Sequence, residues 1–489
     1  MNEQPRERLG SRLGFILLSV GCAVGMGNVW KFPTITGENG GAFFLIFYFI
    51  FLAILGVPLM TVEFALGRAA QKSPARLYHA LTPKGSPFRA HGYLAFAGNI
   101  VLMMFYVPVC AWTVVYFYYA LTGKFYTLPA NDPKAFENLF GGMTENSWML
   151  TLVVLGVVAL GFFICSRSLQ GGLERITKVM MIALFAIMIG LAINSFTLKG
   201  AGEGLKFFLL PSWGRFVKQG PLNVITAAMS QAFFTLSIGI GSMAIFGSFI
   251  GKDRALLGES IRVTALDTLV AVLAGLIIFP AFFTFNKGEQ MPGGPGLVFE
   301  VLPQIFQNMW GGRVFGTLFF LFMVFAAFST VLAVFQNILS CAQDIFGWKK
   351  WKACLICGVA VFLLTLPCVF GGLSFPGGFK IGEIGSVLDF EDFLVSNLLL
   401  PIGALTFTVF CTWKFGWGAK NFLAEANTGK GLKVQHWMVF YMKYILPVII
   451  AVLLVVGVVT KLLPAEEAAA AGDAIEGAVE GAAGALPPA

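Results

Sequence analysis

Two apolar stretches of the chain are interrupted by glycines and hydroxyl side chains where a membrane helix would normally continue. They are residues 14–33, GFILLSVGCAVGMGNVWKFP, and residues 232–243, AFFTLSIGIGSM. Inside a bilayer, unwound backbone exposes N–H and C=O groups that are tolerated only where protein or a polar cavity covers them. The two interruptions therefore predict a polar site at membrane depth, built for ions or small solutes.

The composition is that of an integral membrane protein. The 489 residues are 57% hydrophobic and 12% charged, and the mean hydropathy is +0.81, which excludes an ordinary soluble globular protein. Apolar runs long enough to cross roughly 30 Å of hydrocarbon recur along the chain. We expect an all-α membrane protein with about eleven transmembrane helices near 13–36, 42–70, 90–122, 147–166, 172–196, 223–250, 258–286, 312–347, 350–370, 387–413 and 437–463.

Charge distribution predicts the orientation of these helices. The net charge is +8, and the lysines and arginines fall in alternate loops, which is the positive-inside pattern rather than a nucleic-acid surface. We expect a multi-pass protein of the cell (inner) membrane. Its parts would be a cytoplasmic N-terminal segment at 1–12, a transmembrane domain at 13–463 and a low-complexity acidic tail outside the cell at 464–489.

The two interrupted helices are the first and the sixth, broken around 22–27 and 237–242. They are five helices apart, and an odd spacing reverses the direction in which a helix crosses the membrane. Two five-helix units inserted upside down relative to each other, each opening with a discontinuous helix, indicate a secondary transporter with its site near mid-bilayer.

Several segments carry a resemblance to a known family. They are residues 12–48, RLGFILLSVGCAVGMGNVWKFPTITGENGGAFFLIFY, residues 56–68, GVPLMTVEFALGR, and the shorter FFTLSIGIGS, GGPGLVFE and FAAFST at 233–242, 293–300 and 325–330. Over roughly residues 8–463 the chain resembles the neurotransmitter:sodium symporter family, which has the leucine-transporter fold. It looks most like the bacterial multi-hydrophobic amino acid transporters.

The resemblance implies two sodium sites. Sodium is a hard cation that takes oxygen ligands, and unwound backbone supplies carbonyls beside polar side chains. Serine and threonine in membrane helices usually bond to the preceding turn instead, so only the whole constellation is informative. The implied ligands are Ala23, Asn28, Thr235 and Asp267 for the first ion, and Gly21, Val24, Ala326, Ser329 and Thr330 for the second.

Asp267 departs from the usual family pattern. A buried aspartate costs about 2.5–3.5 kcal/mol on insertion scales and demands a cation or partner. Many relatives place Asn at this position and recruit chloride beside a serine one turn later, where this chain has Ala271. We hypothesise that Asp267 supplies the negative charge and makes transport chloride-independent. The alternative is an ion pair between Asp267 and another buried residue. The other ionisable group at membrane depth, Glu63, is also acidic and so is no partner for it. By resemblance, Glu63 matches a family residue that caps unwound helix segments.

The same backbone geometry predicts an amino-acid site. Free N–H groups at residues 24–27 suit a carboxylate, while carbonyls at residues 234–240 suit an ammonium group. Tyr106 matches the family tyrosine that donates to the carboxylate, and Gly25 stands where monoamine carriers have an aspartate. A mostly apolar pocket favours a hydrophobic amino acid. The expected pocket residues are Ala23, Gly25, Gly27, Leu102, Tyr106, Phe234, Thr235, Ser237, Ile240, Thr330 and Val334.

Gates are also implied by the resemblance. Lys31 and Asp392 match the extracellular charged pair, in which the lysine lacks the bidentate fork of the usual arginine. Phe234 would cover the substrate, and Arg6 with Asp344 would form the cytoplasmic pair.

The resulting expectation is sodium-coupled symport of hydrophobic L-amino acids by alternating access. The expected ligands are two sodium ions and the amino acid, within a lipid bilayer, with no organic cofactor, no nucleic acid and no enzymatic chemistry. Two alternatives stay open. One is a proton-coupled carrier or exchanger with Asp267 or Glu63 as the proton site. The other is a non-transporting amino-acid sensor.

Overall fold

The computed structural model describes residues 7, 9–129, 132–285, 294–371 and 384–462. Within these ranges the regular structure is helical, apart from isolated bridges such as the one between Arg254 and Lys430. Nine of the described helices are long and apolar enough to cross a membrane, and one bent pair forms a further span. The expected all-α, multi-span membrane architecture is confirmed. The predicted tail at 464–489 lies outside the described residues.

We number the membrane spans 1 to 11 in chain order. Span 1 is Arg12–Ala23 with Gly27–Glu38, and the next four are Ala42–Ala70, Phe88–Thr122, Ser147–Ser166 and Leu169–Phe196. Span 6 is Pro221–Thr235 with Ser242–Gly247. Spans 7 to 11 are Leu256–Phe285, Gly312–Phe346, Lys350–Phe370, Val387–Thr412 and His436–Val459.

Ten membrane spans are recognisable by helix length among the described residues, whereas the sequence predicts about eleven, and span 6 accounts for the difference. Its two helical pieces are 15 and 6 residues long. At about 1.5 Å of rise per residue, neither piece crosses roughly 30 Å of hydrocarbon as a helix. The unwound residues between them complete the crossing, so span 6 crosses the membrane without containing a helix of full length.

Both predicted interruptions are present. The two parts of span 1 are bent by 60° across the break that follows Ala23. In span 6, Ser237, Gly239 and Gly241 all have positive φ, at 50°, 116° and 74°. Such angles suit glycine, which has no Cβ to clash, and end the regular helix.

The break in span 6 lies directly against span 10. A Cβ at Gly239 would collide with the carbonyl of Leu400, and a Cβ at Gly403 would collide with the carbonyl of Gly239. Glycine on both sides lets the two backbones touch. Span 10 is thereby held beside the unwound segment.

The interior of the bundle is formed around spans 3 and 8. About 72% of an apolar 18-residue stretch in each is buried, against 28% for span 11, which places span 11 at the periphery. Spans 3 and 8 pack along each other, and the first half of span 1 packs on spans 7 and 8. The broken spans are therefore held among long continuous helices, which position the polar groups described next.

Candidate functional site

The hydroxyl of Thr330 lies among backbone carbonyls freed at the break of span 1. Its Oγ1 is 2.9 Å from the carbonyl oxygen of Val24 and 3.3 Å from that of Gly21. It is also 3.4 Å from the carbonyl oxygen of Ala326, on which the Ser329 hydroxyl donates a hydrogen bond at 3.0 Å. The structure thus brings all five residues of the implied second sodium site together, between spans 1 and 8.

A second buried cluster centres on the Asp267 carboxylate of span 7. Asn28 Nδ2 donates to Asp267 Oδ1 at 2.9 Å, and the Thr235 hydroxyl donates to Oδ2 at 3.2 Å. Asn28 Oδ1 in turn accepts from the Gly25 amide at 3.2 Å. Three of the four residues implied for the first sodium ion are therefore hydrogen-bonded, and the fourth, Ala23, ends the first helix of span 1. The alternative of an ion pair finds no cation near Asp267 among the described salt bridges.

Gln231 joins the two broken spans, a role that the sequence did not predict. Its Nε2 donates to the carbonyl of Gly27 at 2.9 Å. Its Oε1 is buried and has no described hydrogen-bond partner. The available signal was spacing: Gln231 precedes Thr235 by one helical turn, so both side chains lie on one face of span 6.

A cavity lies between spans 1, 3, 6, 8 and 10. Its lining residues are Ala23, Gly25, Met26, Gly27, Leu102, Tyr106, Phe234, Thr235, Ser237, Ile240, Thr330, Val395 and Leu400.

Ten of the eleven expected pocket residues line this cavity, and Val334 does not. Val334 is fully buried one helical turn beyond Thr330 in span 8, where it packs in the core. Sequence reasoning missed Met26, Val395 and Leu400. The last two belong to span 10, whose contact with the break in span 6 is a tertiary feature.

Tyr106 and Gly25 fit together closely. The Tyr106 hydroxyl accepts a hydrogen bond from the Met26 amide at 3.1 Å. A Cβ at Gly25 would collide with that hydroxyl and would lie 3.0 Å from Thr330 Oγ1. Only glycine fits at this position while Tyr106 keeps its place, so the end of the cavity near residue 25 stays open to polar groups.

Glu63 of span 2 caps the break of span 6. Its Oε1 accepts from the Gly239 amide at 2.5 Å, and its Oε2 accepts from the amides of Met243 and Ala244 at 3.1 and 3.3 Å. The side chain is completely buried. These three amides are left without helical partners by the unwinding, and a carboxylate accepts all of them.

The implied outer gate pair is in contact. Lys31 Nζ lies 3.6 Å from Asp392 Oδ2 and 3.8 Å from the centroid of the Phe234 ring. The lysine therefore contacts both Asp392 and the aromatic ring of Phe234. Its contact with the ring is a cation–π interaction that the sequence did not predict. On the opposite end, Asp344 accepts from the Ser73 amide at 2.7 Å. Arg6, its implied partner, lies outside the described residues.

Comparisons with known proteins identify the family of the chain. The model of the sodium:neurotransmitter symporter family matches residues 6–138 and 134–468. The chain is 32% identical to the uncharacterised sodium-dependent transporter YhdH of Bacillus subtilis, over 94% of this chain and all of the relative. It is 31% identical to an uncharacterised sodium-dependent transporter of Methanocaldococcus jannaschii, over 92% and 90%.

A solved structure has the same architecture. The crystal structure of MhsT in complex with L-phenylalanine superposes with a TM-score of 0.81 at 35% identity, over 92% of this chain and 99% of that chain. The agreement covers the whole bundle, and the relatives are transporters rather than enzymes. The chain therefore belongs to the sodium:neurotransmitter symporter family, and it is a sodium-coupled multi-pass membrane transporter.

Proposed function

We propose that this protein carries hydrophobic L-amino acids into the cell together with two sodium ions, without chloride. The observation that carries the proposal is that the cavity and the two oxygen clusters share residues. Thr235 lines the cavity and donates to the Asp267 carboxylate, while Thr330 lines the cavity and touches the carbonyls at the break of span 1. A solute and an ion that order the same groups strengthen each other's binding, which is the basis of coupling.

The chemistry of the cavity supports an amino acid with an apolar side chain. The Tyr106 hydroxyl and the break of span 1 stand at one side of the cavity, and Leu102, Ile240 and Val395 present apolar groups to it. Gly25 leaves room for the substrate's own carboxylate. The structural neighbour MhsT holds L-phenylalanine, and we infer a substrate of the same class here.

The two oxygen clusters support two sodium sites. Around Thr330 the oxygen atoms available to an ion belong to carbonyls and hydroxyls, which are neutral hard ligands. Around Asp267 a carboxylate joins the amide of Asn28 and the hydroxyl of Thr235. One site thus has a formal negative charge and the other has none.

Asp267 supports independence from chloride. Its carboxylate is fully buried and makes its described contacts with neutral groups. A sodium ion beside it would be neutralised directly by the protein, because opposite charges attract strongly at low dielectric. An added anion is then not needed to compensate the sodium ion at this site.

The proposed cycle is alternating access across the inner membrane with the N-terminus in the cytoplasm. Sodium orders the unwound segments, substrate completes the site, and the pair formed by Lys31 and Asp392 closes above Phe234. The end of the bundle near Asp344 and Ser73 then opens for release. The positive loops support this orientation.

Uptake by the purified chain in proteoliposomes tests the proposal. A panel of amino acids should compete for sodium-driven uptake of labelled phenylalanine, with apolar side chains competing best. Replacing chloride by gluconate should leave the rate unchanged. In Asp267→Asn, the same replacement should lower uptake about tenfold, a usual size for coupling between two binding sites, because the sodium site then lacks its negative charge.

Asp253→Asn provides the matched control, since it removes the same charge from an exposed loop. It should behave like the unchanged protein in both anions. Uptake that persists without sodium and follows pH would instead support a proton-coupled carrier. Binding without accumulation would support a sensor.

A further inference from the structure

A second cavity, separate from the substrate site, opens on the outside of the bundle. It has a volume of about 160 Å³ and is lined by apolar residues of spans 3, 8 and 9. Phe96 stands on one wall and Ala342 on another, while Ile356 and Ala360 stand at the open side, where both are exposed. A cavity of this composition on the face of a membrane bundle offers its contacts to hydrocarbon.

The depth of this cavity matches one leaflet of a bilayer. Phe346 is the last residue of span 8, and Ala360 lies ten residues into span 9. At about 1.5 Å per residue, the cavity extends roughly 15 Å inward from the end of the bundle, half of a hydrocarbon core of roughly 30 Å. That is the depth of the acyl chains of a single leaflet.

The mouth of the cavity carries alternating aromatic and basic residues. The segment 348–352 reads WKKWK, at the end of the bundle that we predict to be cytoplasmic. The Trp348 ring stacks on Phe346 with centroids 4.5 Å apart, and Lys352 Nζ lies 5.8 Å from the centroid of the Trp348 ring. Tryptophan at this depth marks the headgroup region of a membrane.

The lysines at the mouth differ in their partners. Lys350 donates to the Arg167 carbonyl at 2.6 Å and lies 3.6 Å from Glu7. Lys349 and Lys352 make no salt bridge within the described part of the chain. Two ammonium groups with no acidic partner among the described residues, beside an apolar cavity, are complementary to a molecule with an anionic head and a hydrocarbon tail.

We propose that this cavity binds an acyl chain of an anionic phospholipid whose phosphate is held by Lys349 and Lys352. The apolar walls suit the chain because it stays in an apolar environment when it enters the cavity, where close packing supplies favourable dispersion contacts. The lysines supply the preference for an anionic over a zwitterionic headgroup, at about 1 kcal/mol for each basic residue near the surface. The site is independent of the proposed substrate and ions.

Native mass spectrometry of the full chain, with phosphatidylglycerol and phosphatidylcholine as probes, tests this proposal. The unchanged protein should retain one phosphatidylglycerol in preference to phosphatidylcholine. Lys349→Gln with Lys352→Gln should weaken phosphatidylglycerol binding roughly 30-fold, which is about 1 kcal/mol per lysine at 1.4 kcal/mol for each tenfold change. Binding of phosphatidylcholine should not change.

A filling variant and a charge-matched control complete the experiment. Ala360→Phe, at the exposed side of the cavity, should reduce retention of both lipids by occupying the volume. Lys84→Gln with Lys433→Gln removes two charges from other exposed loops and should retain lipid like the unchanged protein. Apparent melting temperature monitors folding of each variant.

Three results would overturn the proposal. One is equal retention of both lipids by the unchanged protein. Another is loss of phosphatidylglycerol in the control as large as in the Lys349 and Lys352 variant. The third is unchanged retention in Ala360→Phe, because a bound chain cannot coexist with the added ring.

Discussion

At the scale of single residues, this site depends on groups that serve two ligands. Thr330 Oγ1 is near three carbonyls of span 1 and also lines the cavity. Thr235 touches Asp267 and lines the same cavity from the other side. Because each hydroxyl has one proton and two lone pairs, its orientation changes when an ion replaces a hydrogen-bond partner. An ion can thereby change the surface that the substrate meets.

The contact between Gly25 and Tyr106 gives a residue-scale prediction. Gly25→Ala places a methyl group against the Tyr106 hydroxyl, and such overpacking costs about 1–3 kcal/mol. In a Tyr106→Phe background the hydroxyl is gone, so the same substitution should cost at least about 1 kcal/mol less. Thermal unfolding of the four proteins in detergent measures this coupling. Additive effects of the two substitutions would contradict the packing described here.

At the scale of secondary structure, buried carboxylates stabilise the beginnings of helices. Glu63 accepts three amides at the break of span 6. Glu174 holds the beginning of span 1, accepting from the Gly10 amide at 2.8 Å and the Ser11 hydroxyl at 2.9 Å. Each acid lies on a neighbouring span, so the end of one helix is fastened to another helix.

The cap on span 6 predicts that the substitution Glu63→Gln lowers the thermal stability of the protein. Glu63→Gln replaces one acceptor oxygen by an amino group that faces backbone N–H groups. Buried donors left without an acceptor cost about 1–3 kcal/mol, so the apparent melting temperature should fall by several degrees. Glu203→Gln, which changes an exposed acid, should not lower it. Equal stability of the two variants would show that Glu63 is not required as a cap.

The beginning of span 1 gives a second prediction at this scale. Lys178 Nζ also lies 2.8 Å from Glu174, and a Cβ at Gly14 would collide with the carboxylate. Charged hydrogen bonds are worth about 1.5–3 kcal/mol. In Glu174→Gln, amides of residues 9–16 should therefore exchange hydrogen roughly ten to a hundred times faster.

Hydrogen exchange measured by mass spectrometry checks the loosening of this segment. Glu145→Gln, at the exposed end of the helix Pro133–Glu145, is the matched control and should leave the exchange of residues 9–16 unchanged. Identical exchange in Glu174→Gln and the control would argue that the acid does not hold the N-terminal segment.

At the scale of the whole molecule, contacts close the bundle at both ends. Lys31 and Asp392 meet at one end, with Phe234 below the lysine. At the other end, Asp344 of span 8 accepts from the amide of Ser73. The polar clusters lie between these ends, and the side chains of Asn28, Asp267 and Thr330 are buried. Transport by alternating access requires the two ends to open in turn, since the clusters cannot face both solutions at once.

The proposed coupling predicts electrogenic transport. Two sodium ions with a zwitterion carry net positive charge inward. A membrane potential contributes about 2.3 kcal/mol per elementary charge per 100 mV. An inside-negative potential of about 100 mV should raise accumulation at equilibrium roughly 40-fold for each net charge moved. Valinomycin and a potassium gradient in proteoliposomes provide the measurement. No response to the imposed potential would contradict net charge movement.

The amino-acid sequence determined the features that depend on local chemistry. Long apolar runs require helices in lipid, and glycines at 25, 27, 239 and 241 permit unwinding within those runs. A buried acid such as Glu63 requires an electropositive partner wherever it lies. The membrane architecture, the two breaks and the residue types suited to oxygen coordination therefore follow from the chain, and the family resemblance adds their assignment to particular positions.

Only the tertiary structure decided which side chains share a space. Val395 and Leu400 line the cavity because glycines at 239 and 403 bring spans 6 and 10 together, whereas Val334 faces the core. Gln231 meets the Gly27 carbonyl, and Lys31 lies over Phe234, across distances of many residues in sequence. Such contacts depend on the rotation and separation of whole helices. Those are fixed by packing among several spans at once and leave no periodic signal in any single one.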